Sequence, residues 1–368
     1  METREVRHIE KKETIGIILP DSICDRLAVE GSQINVRAYQ EAADQFMLTA
    51  AFFKVKDIQP GRPTVKAWIS SENGYEQRTM PLPQILYSRG FLSRKQQRFL
   101  TESGIIFYNH KGFKHDKYRM HTMIMKDPEL RHSLPRTAKA DPAVLKTMMA
   151  SYDSVLLKPV NGSLGAGIMH IEKISKNSWR LDYQVKRKQW EVETFQEEIP
   201  EVILKAFDAR PYLIQEKILL ATCKGRPFDL RVVVQRNHTG NWVVAGILCK
   251  VSPSKDQFIT NLSQGGQSLS FEDVFTHHPD FPLIPTRDCI EQKAVQLARH
   301  IDRYAEHIAD IAFDLALDTS GRVYFIECNF RGRYGNVRYK GKRLEEWKAK
   351  HTNPIGYARF LYNQMKHP

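Results

Sequence analysis

Short apolar runs separated by polar segments of helical character recur along the chain and predict an α/β architecture. In the first third, the predicted strands cover residues 14–20, 50–55, 84–87 and 105–108. Helices are predicted over residues 92–103 and 116–125. The second helix has Asp116 at its start, where a short acidic side chain suits the N-cap position.

The same alternation continues through the rest of the chain. There the predicted strands cover residues 153–158, 168–171, 212–218, 230–235 and 242–251. The longest amphipathic pattern predicts a helix over residues 289–309. No internal repeat and no low-complexity linker interrupts these segments. We therefore predict three units packed against each other, over residues 1–112, 113–215 and 216–368.

Composition limits the class of protein. The 368 residues include 18 Phe, 14 Tyr and 5 Trp, enough for a sizeable core. The longest apolar stretches have the length of a strand, and the charged N-terminus precedes no signal-type apolar region. Five scattered cysteines, without Cys-x-x-Cys spacing, indicate reduced and mostly buried thiols. We expect a protein without a membrane span, in the cytoplasm.

The formal net charge of +13 raises the alternative of a polyanion-binding module. The positive excess is concentrated in residues 331–350, and no RNA- or DNA-binding motif accompanies it. A basic balance equally suits a pocket for a polyphosphate and an acidic substrate. Nucleic acid is therefore the less favoured partner.

Near the C-terminus the pattern predicts a β-hairpin that carries acidic side chains. A strand containing Asp314 is followed by the turn Asp-Thr-Ser-Gly and by an apolar run that leads into Glu327. Residues i and i+2 of a strand share a face, so Glu327 and Asn329 lie together, with Asp314 level with them. Two carboxylates and an amide oxygen suit magnesium, which keeps positions for water and phosphate oxygens. The alternative is an edge hairpin with solvated acids.

A glycine-rich loop follows the predicted strand that ends near Lys158. Its small residues are Gly162, Ser163, Gly165 and Gly167. Such a loop lets backbone N–H groups surround phosphate oxygens. The lysine precedes the glycines, unlike in a P-loop, and a strand follows where a dinucleotide-binding loop needs a helix. The alternative is a hairpin turn between two strands.

Further polar motifs follow in order. The strand at residues 212–217 leads to a segment that can serve as a hinge beside an adenine ring. Asp229 and Arg231 share a face of the next predicted strand, where they could also form an ordinary ion pair. Lys250 ends the strand after that, and Asn261 opens the sequence NLSQGG.

Together these motifs resemble the ATP-grasp superfamily. The sequences HDKYRMH (115–121), LPRT (134–137) and ITNLSQGG (259–266) further resemble the YheC/YheD group, endospore-coat-associated ATP-grasp proteins of Bacillus-like bacteria. The resemblance covers roughly residues 105–335. It implies an ATP-grasp fold, α/β (α+β), with an N-terminal pre-ATP-grasp α/β domain.

The resemblance also implies a role for each motif residue. The implied ATP contacts are Lys117, Lys158, Gly162, Ser163, Gly165, Gly167, Gln215, Glu216, Lys217, Ile218 and Asn261. Arg231 and Lys250 would neutralise the transferring phosphoryl group. The implied Mg²⁺ ligands are Asp314, Glu327 and Asn329.

The implied activity is that of an Mg-ATP-dependent carboxylate–amine, or carboxylate–thiol, ligase that acts through an acyl phosphate. Its carboxylate substrate would be a small molecule, a peptide or an envelope precursor. An alternative is a spore-coat assembly protein that binds ATP without turnover. Residues 330–335 depart from the Pro-Gly turn common in relatives, and this loop commonly borders the acceptor site. The acceptor is therefore the least defined part of the prediction.

Overall fold

Three six-stranded sheets, each built from a continuous part of the chain, organise the molecule. The computed structural model describes residues 12–27, 34–109, 116–162, 165–186, 189–255, 259–305, 307–330 and 342–366. The predicted mixed α/β architecture is confirmed. The three domain boundaries drawn from the sequence remain predictions.

The first sheet has the order β4-β3-β2-β1-β5-β6. Its strands are β1 (Thr14–Leu19), β2 (Thr49–Lys54), β3 (Thr64–Ser71), β4 (Gly74–Pro81), β5 (Ile85–Ser88) and β6 (Ile106–Tyr108), accompanied by helices α1 (Asp21–Leu27), α2 (Ile34–Gln45) and α3 (Arg94–Glu102). The central strands are parallel and apolar throughout, because side chains are buried on both faces.

The second sheet is antiparallel and has the order β11-β10-β9-β8-β12-β7. Its strands are β7 (Thr137–Lys139), β8 (Ser154–Pro159), β9 (Met169–Ser175), β10 (Ser178–Lys186), β11 (Gln189–Phe195) and β12 (Tyr212–Glu216). Helices α5 (Pro142–Ser151) and α6 (Glu201–Ala209) pack on its apolar face. The register places Leu156, His170, Asp182 and Gln215 together on the opposite face, here called the polar face.

The third sheet is antiparallel and has the order β16-β15-β14-β17-β18, with a short strand β13 paired to β14. Its strands are β13 (Thr222–Cys223), β14 (Arg226–Arg236), β15 (Trp242–Val251), β16 (Gln267–Ser270), β17 (Asp310–Leu317) and β18 (Val323–Asn329). Helices α4 (Lys117–Met125), α7 (Phe271–Phe275) and α8 (Leu283–Asp302) share its main core. Helix α9 (Lys342–Lys366) packs on the other face, where Ala349 contacts Val233 and Ala312.

Helix α9 and strand β17 connect the first sheet to the third. The Tyr362 hydroxyl donates a hydrogen bond of 2.7 Å to the Thr14 carbonyl, and the Gln235 side chain donates one of 3.0 Å to the Lys350 carbonyl. On β17, the fully buried carboxylate of Asp310 accepts hydrogen bonds from Tyr87 (3.1 Å) and Arg89 (3.3 Å). These contacts fix the first sheet against the strand that also carries Asp314.

Two sequence predictions need correction. The helix predicted over residues 289–309 runs from Leu283 to Asp302, and strand β17 already begins at Asp310. The longest helix among the described residues is α9, whose internal Pro354 and frequent charges obscured its pattern. Asp116 does cap α4, where its carboxylate accepts from the Tyr118 N–H at 2.8 Å.

Two further observations bear on the compositional predictions. None of the described helices is both long and apolar enough to cross a membrane. Cys24, Cys223 and Cys249 are buried free thiols, Cys328 is half-buried and Cys289 is exposed, in agreement with the prediction of mostly buried thiols.

Candidate functional site

A cavity of about 380 Å³ lies between the polar face of the second sheet and the edge of the third. Leu156 and Lys158 line it from the second sheet, and Asp229, Lys250 and Asp314 line it from the third. The segment after β12 closes one side. One cavity therefore combines an apolar part, suited to a flat ring, with a strongly charged part.

Two carboxylates face each other in the charged part. Asp314 on β17 is paired in register with Glu327 on β18. Leu315 then pairs with Phe325, so Ile326 is the extra residue of a β-bulge, and it too lines the cavity. Asn329 is exposed at the end of β18, on the same face as Glu327.

Cations surround the carboxylate of Asp314. The Arg231 guanidinium donates two hydrogen bonds to it, of 2.6 and 2.8 Å. The Lys250 ammonium lies 3.3 Å from Asp314 Oδ1 and 3.0 Å from Asp229 Oδ1. The Thr260 hydroxyl donates to the other oxygen of Asp229 at 2.7 Å. Arg231 thus pairs with Asp314 and not with Asp229, its neighbour on the same strand.

The two facing carboxylates have opposite pKa shifts. Burial raises the pKa of Asp314, but Lys250 and Arg231 outweigh burial and hold it at about 2. Burial and the charge of Asp314 raise the pKa of Glu327, which Lys117 opposes from 3.5 Å. Two close acids of this kind favour an added cation.

The donor chemistry fits magnesium. Among the described residues no cluster of three His, Cys, Asp or Glu side chains forms a metal centre. The available set is two carboxylates, Asp314 and Glu327, with the amide of Asn329 two residues further along. Magnesium takes few protein ligands and keeps water and phosphate oxygens, so this small oxygen set suits it.

On the second sheet, Lys158 points into the cavity and meets a neutral partner. Its ammonium donates a hydrogen bond to the side-chain oxygen of Gln215, whose amide donates to the Thr137 hydroxyl at 2.9 Å. Burial, aided by the nearby Lys117, lowers the pKa of Lys158 to about 8. Keeping the Lys158 ammonium charged in this position therefore costs desolvation free energy, and a bound phosphate would offset that cost.

The segment from Gln215 to Ile218 lines the cavity beside Lys158. The Glu216 carboxylate accepts a hydrogen bond of 3.0 Å from the Arg136 N–H, which fixes its position. The Lys217 ammonium lies 3.0 Å from Nε2 of His170. The segment thus presents backbone groups and two fixed charged side chains to the cavity.

The loop over residues 162–167 is here called the lid, and its described residue Gly165 lines another side of the cavity. Gly165 and Gly167 have φ angles of +74°, which favour glycine. A Cβ at Gly165 would lie 2.8 Å from the side-chain nitrogen of Asn261, so only glycine allows this close approach. Ser163 lies outside the described residues. The lid thus contacts the loop that follows β15 across the cavity.

Comparison with known proteins identifies the family. A family model described as YheC/D-like ATP-grasp matches residues 104–361. The chain belongs to this family. Its ATP-grasp relatives include the endospore coat-associated protein YheD of Bacillus subtilis (strain 168), 28% identical over 293 residues, with 73% of the chain and 61% of YheD covered. YheC of the same organism is 20% identical, with 88% of the chain and 91% of YheC covered.

Solved structures place the chain in the same ATP-grasp fold. The ATP-grasp ligase PsnB, complexed with minimal precursor, has a TM-score of 0.50 at 13% identity and covers 95% of the chain and 99% of PsnB. The C-terminal domain of Pby1 from K. lactis, an ATP-grasp enzyme, has the same TM-score and identity, with 97% and 95% covered. The predicted ATP-grasp fold is therefore confirmed.

Most residues that the ATP-grasp resemblance implicated line the one cavity. They are Lys117, Lys158, Gly165, Gln215, Glu216, Lys217, Ile218, Lys250, Asn261, Asp314 and Glu327. Arg231 reaches the site through Asp314, while Gly162, Gly167 and Asn329 are not among the residues that line the cavity. Sequence reasoning missed Thr260 and the site role of Asp229. The adjacency of Asp229 and Arg231 on one strand face was the available signal.

Replacing Lys158 by Met in this ATP-grasp protein should weaken ATP binding strongly while stabilising the fold. A cation that we predict to face phosphate is lost, but so is the free-energy cost of burying it, so we expect the free energy of unfolding to rise by about 2 kcal/mol at pH 7. The folded-state pKa of about 8 lies below the usual 10.5. Wild type should therefore gain stability relative to the variant as pH rises from about 8 to 10.5.

Chemical denaturation at several pH values and calorimetric ATP titration measure both effects. Lys176→Met, at an exposed turn outside the cavity, is the control. A variant that binds ATP normally would contradict the placement of Lys158. A stability gain that is independent of pH would contradict its lowered pKa.

Proposed function

We propose that the chain binds Mg-ATP in this cavity and ligates a carboxylate to an amine, or to a thiol, through an acyl phosphate. The observation that supports this most directly is the pair of facing carboxylates, Asp314 and Glu327, at the charged end of a cavity that also holds Lys158. These two carboxylates would hold magnesium, which would supply positive charge against the charge of the transferring phosphoryl group.

Different residues of the chain would bind the phosphates and the adenine ring and orient Asp314. Lys117 and Lys158 would contact phosphate oxygens, and the backbone N–H groups of the lid would cover them. Leu156, Ile168 and the backbone after β12 would hold the adenine ring. Arg231 and Lys250 would orient Asp314 by their direct bonds to it and add positive charge behind it.

In the first step, a carboxylate oxygen of the substrate would attack the γ-phosphorus and ADP would leave. In the second, the amine would attack the acyl carbon, lose a proton and expel phosphate. Neither step needs a side-chain nucleophile. The contribution of the protein is orientation, charge neutralisation and exclusion of water by the lid.

The names of the relatives suggest only a chemical class of substrate. YheD and YheC are named endospore coat-associated proteins. We propose a peptide or an envelope precursor as substrate, and action in the cytoplasm with association with spore coat proteins.

A ligation screen tests the proposal. Purified protein would be incubated with Mg-ATP and with pools of amino acids, short peptides and cell-wall precursors. We expect one pool to yield a product lighter by one water than the sum of its two substrates, with ADP and phosphate released in equal amounts. Mass spectrometry detects the product. ATP binding without acceptor-dependent release from any pool would instead support an assembly protein without turnover.

A further inference from the structure

His170 lies behind the cavity, on the polar face of the second sheet, three residues after the lid. It is 3% exposed. Its Nδ1 lies 3.1 Å from the Asp182 carboxylate, and its Nε2 lies 2.8 Å from the Ser154 hydroxyl and 3.0 Å from the Lys217 ammonium. Arg180 donates hydrogen bonds of 2.9 and 2.7 Å to the other oxygen of Asp182. A connected chain of polar side chains therefore runs from the outer strands to the cavity.

The chemistry of this chain determines the tautomer of His170. An ionised carboxylate only accepts hydrogen bonds, so Asp182 requires a proton on Nδ1. An ammonium only donates, so Lys217 requires a lone pair on Nε2. His170 is then the neutral Nδ1–H tautomer, and its Nε2 is a fixed acceptor that the Lys217 ammonium shares with the Ser154 hydroxyl.

Lys217 connects His170 to the cavity. Lys217 lines the cavity directly after β12, beside the apolar part and on the opposite sheet from Asp314. Burial lowers the pKa of Lys217. A long lysine side chain loses considerable rotamer entropy when its position is fixed. A rigid acceptor fixes Lys217 already in the free protein, so ligand binding does not have to order it.

We propose that His170 is a positioning residue: oriented by Asp182, it holds the Lys217 ammonium against the part of the nucleotide that ATP and ADP share. The inference rests on the proposed ATP site. Because β9 begins just after the lid, His170 also joins the strand that supports the lid to the segment that faces the base. Lys217 makes the contact, and His170 acts through it.

Two polar substitutions at one position test the role of Nε2. His170→Asn places an amide where Nδ1 lies, within reach of Asp182, but has no atom at the Nε2 position. His170→Gln extends to that position and restores an acceptor for Lys217. We expect Kd for both ATP and ADP to rise about fivefold in H170N and to stay within about twofold of wild type in H170Q.

A double-mutant cycle separates this role from general structural support. Lys217→Met should raise Kd for both nucleotides about tenfold. Adding H170N to K217M should change Kd by less than about twofold more, because the lysine that His170 positions is already absent. His132→Asn, the same change at an exposed histidine outside the cavity, is the matched control.

Isothermal titration with Mg-ATP and Mg-ADP gives every value. Normal affinity in H170N, equal losses in H170N and H170Q, or additive effects in the double variant would overturn the inference while the proposed function stands. So would a loss confined to ATP, since that would place Lys217 at the γ-phosphate. If the wild type binds neither nucleotide, the proposed function fails and the inference fails with it.

Discussion

Replacing Glu327 by Gln should lower Mg-dependent ATP turnover by about 10²- to 10³-fold and leave the fold as stable as before, or more stable. Loss of a carboxylate weakens magnesium binding where the phosphoryl charge develops. In the free protein, however, Glu327 is a half-buried acid beside Asp314, and both burial and that neighbour raise its pKa. The amide removes the like charge and can donate a hydrogen bond to the Asp314 carboxylate.

The measurement combines phosphate release over a range of Mg²⁺ concentrations with thermal unfolding without nucleotide. Glu193→Gln, an exposed acid on the edge strand β11, controls for the loss of one negative charge. Turnover near the wild-type rate in E327Q would remove Glu327 from the metal site. A lower melting temperature would show that its contact with Lys117 matters more than its repulsion from Asp314.

Replacing Asp314 by Asn should also abolish turnover, but here the fold should lose about 3 kcal/mol of unfolding free energy. Asp314 is the common counter-ion of Arg231 and Lys250, and it is 3% exposed. Removing its charge leaves two largely buried cations, which Asp229 and, for Arg231, Glu327 balance only in part. Breaking a buried network on one side costs far more than losing an exposed ion pair.

Urea denaturation of D314N beside E327Q distinguishes the two acids. Asp153→Asn is the matched control, because Asp153 pairs with Lys173 but its side chain is 88% exposed. We expect D314N and E327Q to lose turnover to a similar extent. The free energy of unfolding should fall in D314N and stay the same or rise in E327Q. Equal stabilities in D314N and E327Q would contradict the charge network around Asp314.

Short-range patterns allowed the acidic hairpin to be predicted. The turn at residues 318–321 and the apolar runs on both sides are local features, and they bring Asp314 opposite Glu327. The bulge at Ile326 was not predictable, because it depends on how β18 meets the cavity. The cap at Asp116 was predictable for the same reason as the hairpin, since its contacts span two residues.

Contacts between distant parts of the chain could not be predicted. Thr260 meets Asp229 across 31 residues, and Lys217 meets His170 across 47. Hydrophobic periodicity does not indicate contacts between distant residues. Nothing in the sequence therefore distinguished His170 from a structural or surface histidine. Helix α9 was not predicted either, because Pro354 interrupts its pattern and its partners, such as Thr14, lie as far as 348 residues away.

Strand β17 has a consequence for motion. Asp310 at its start is bound to Tyr87 and Arg89 of the first sheet, and Asp314, four residues later, stands at the charged end of the cavity. The first and third sheets are therefore joined as one unit, and the second sheet, which carries the lid and His170, lies on the other side of the cavity. A movement of the second sheet relative to the other two would therefore leave the distance between the first sheet and Asp314 unchanged, and it would alter only the gap on the side of the lid.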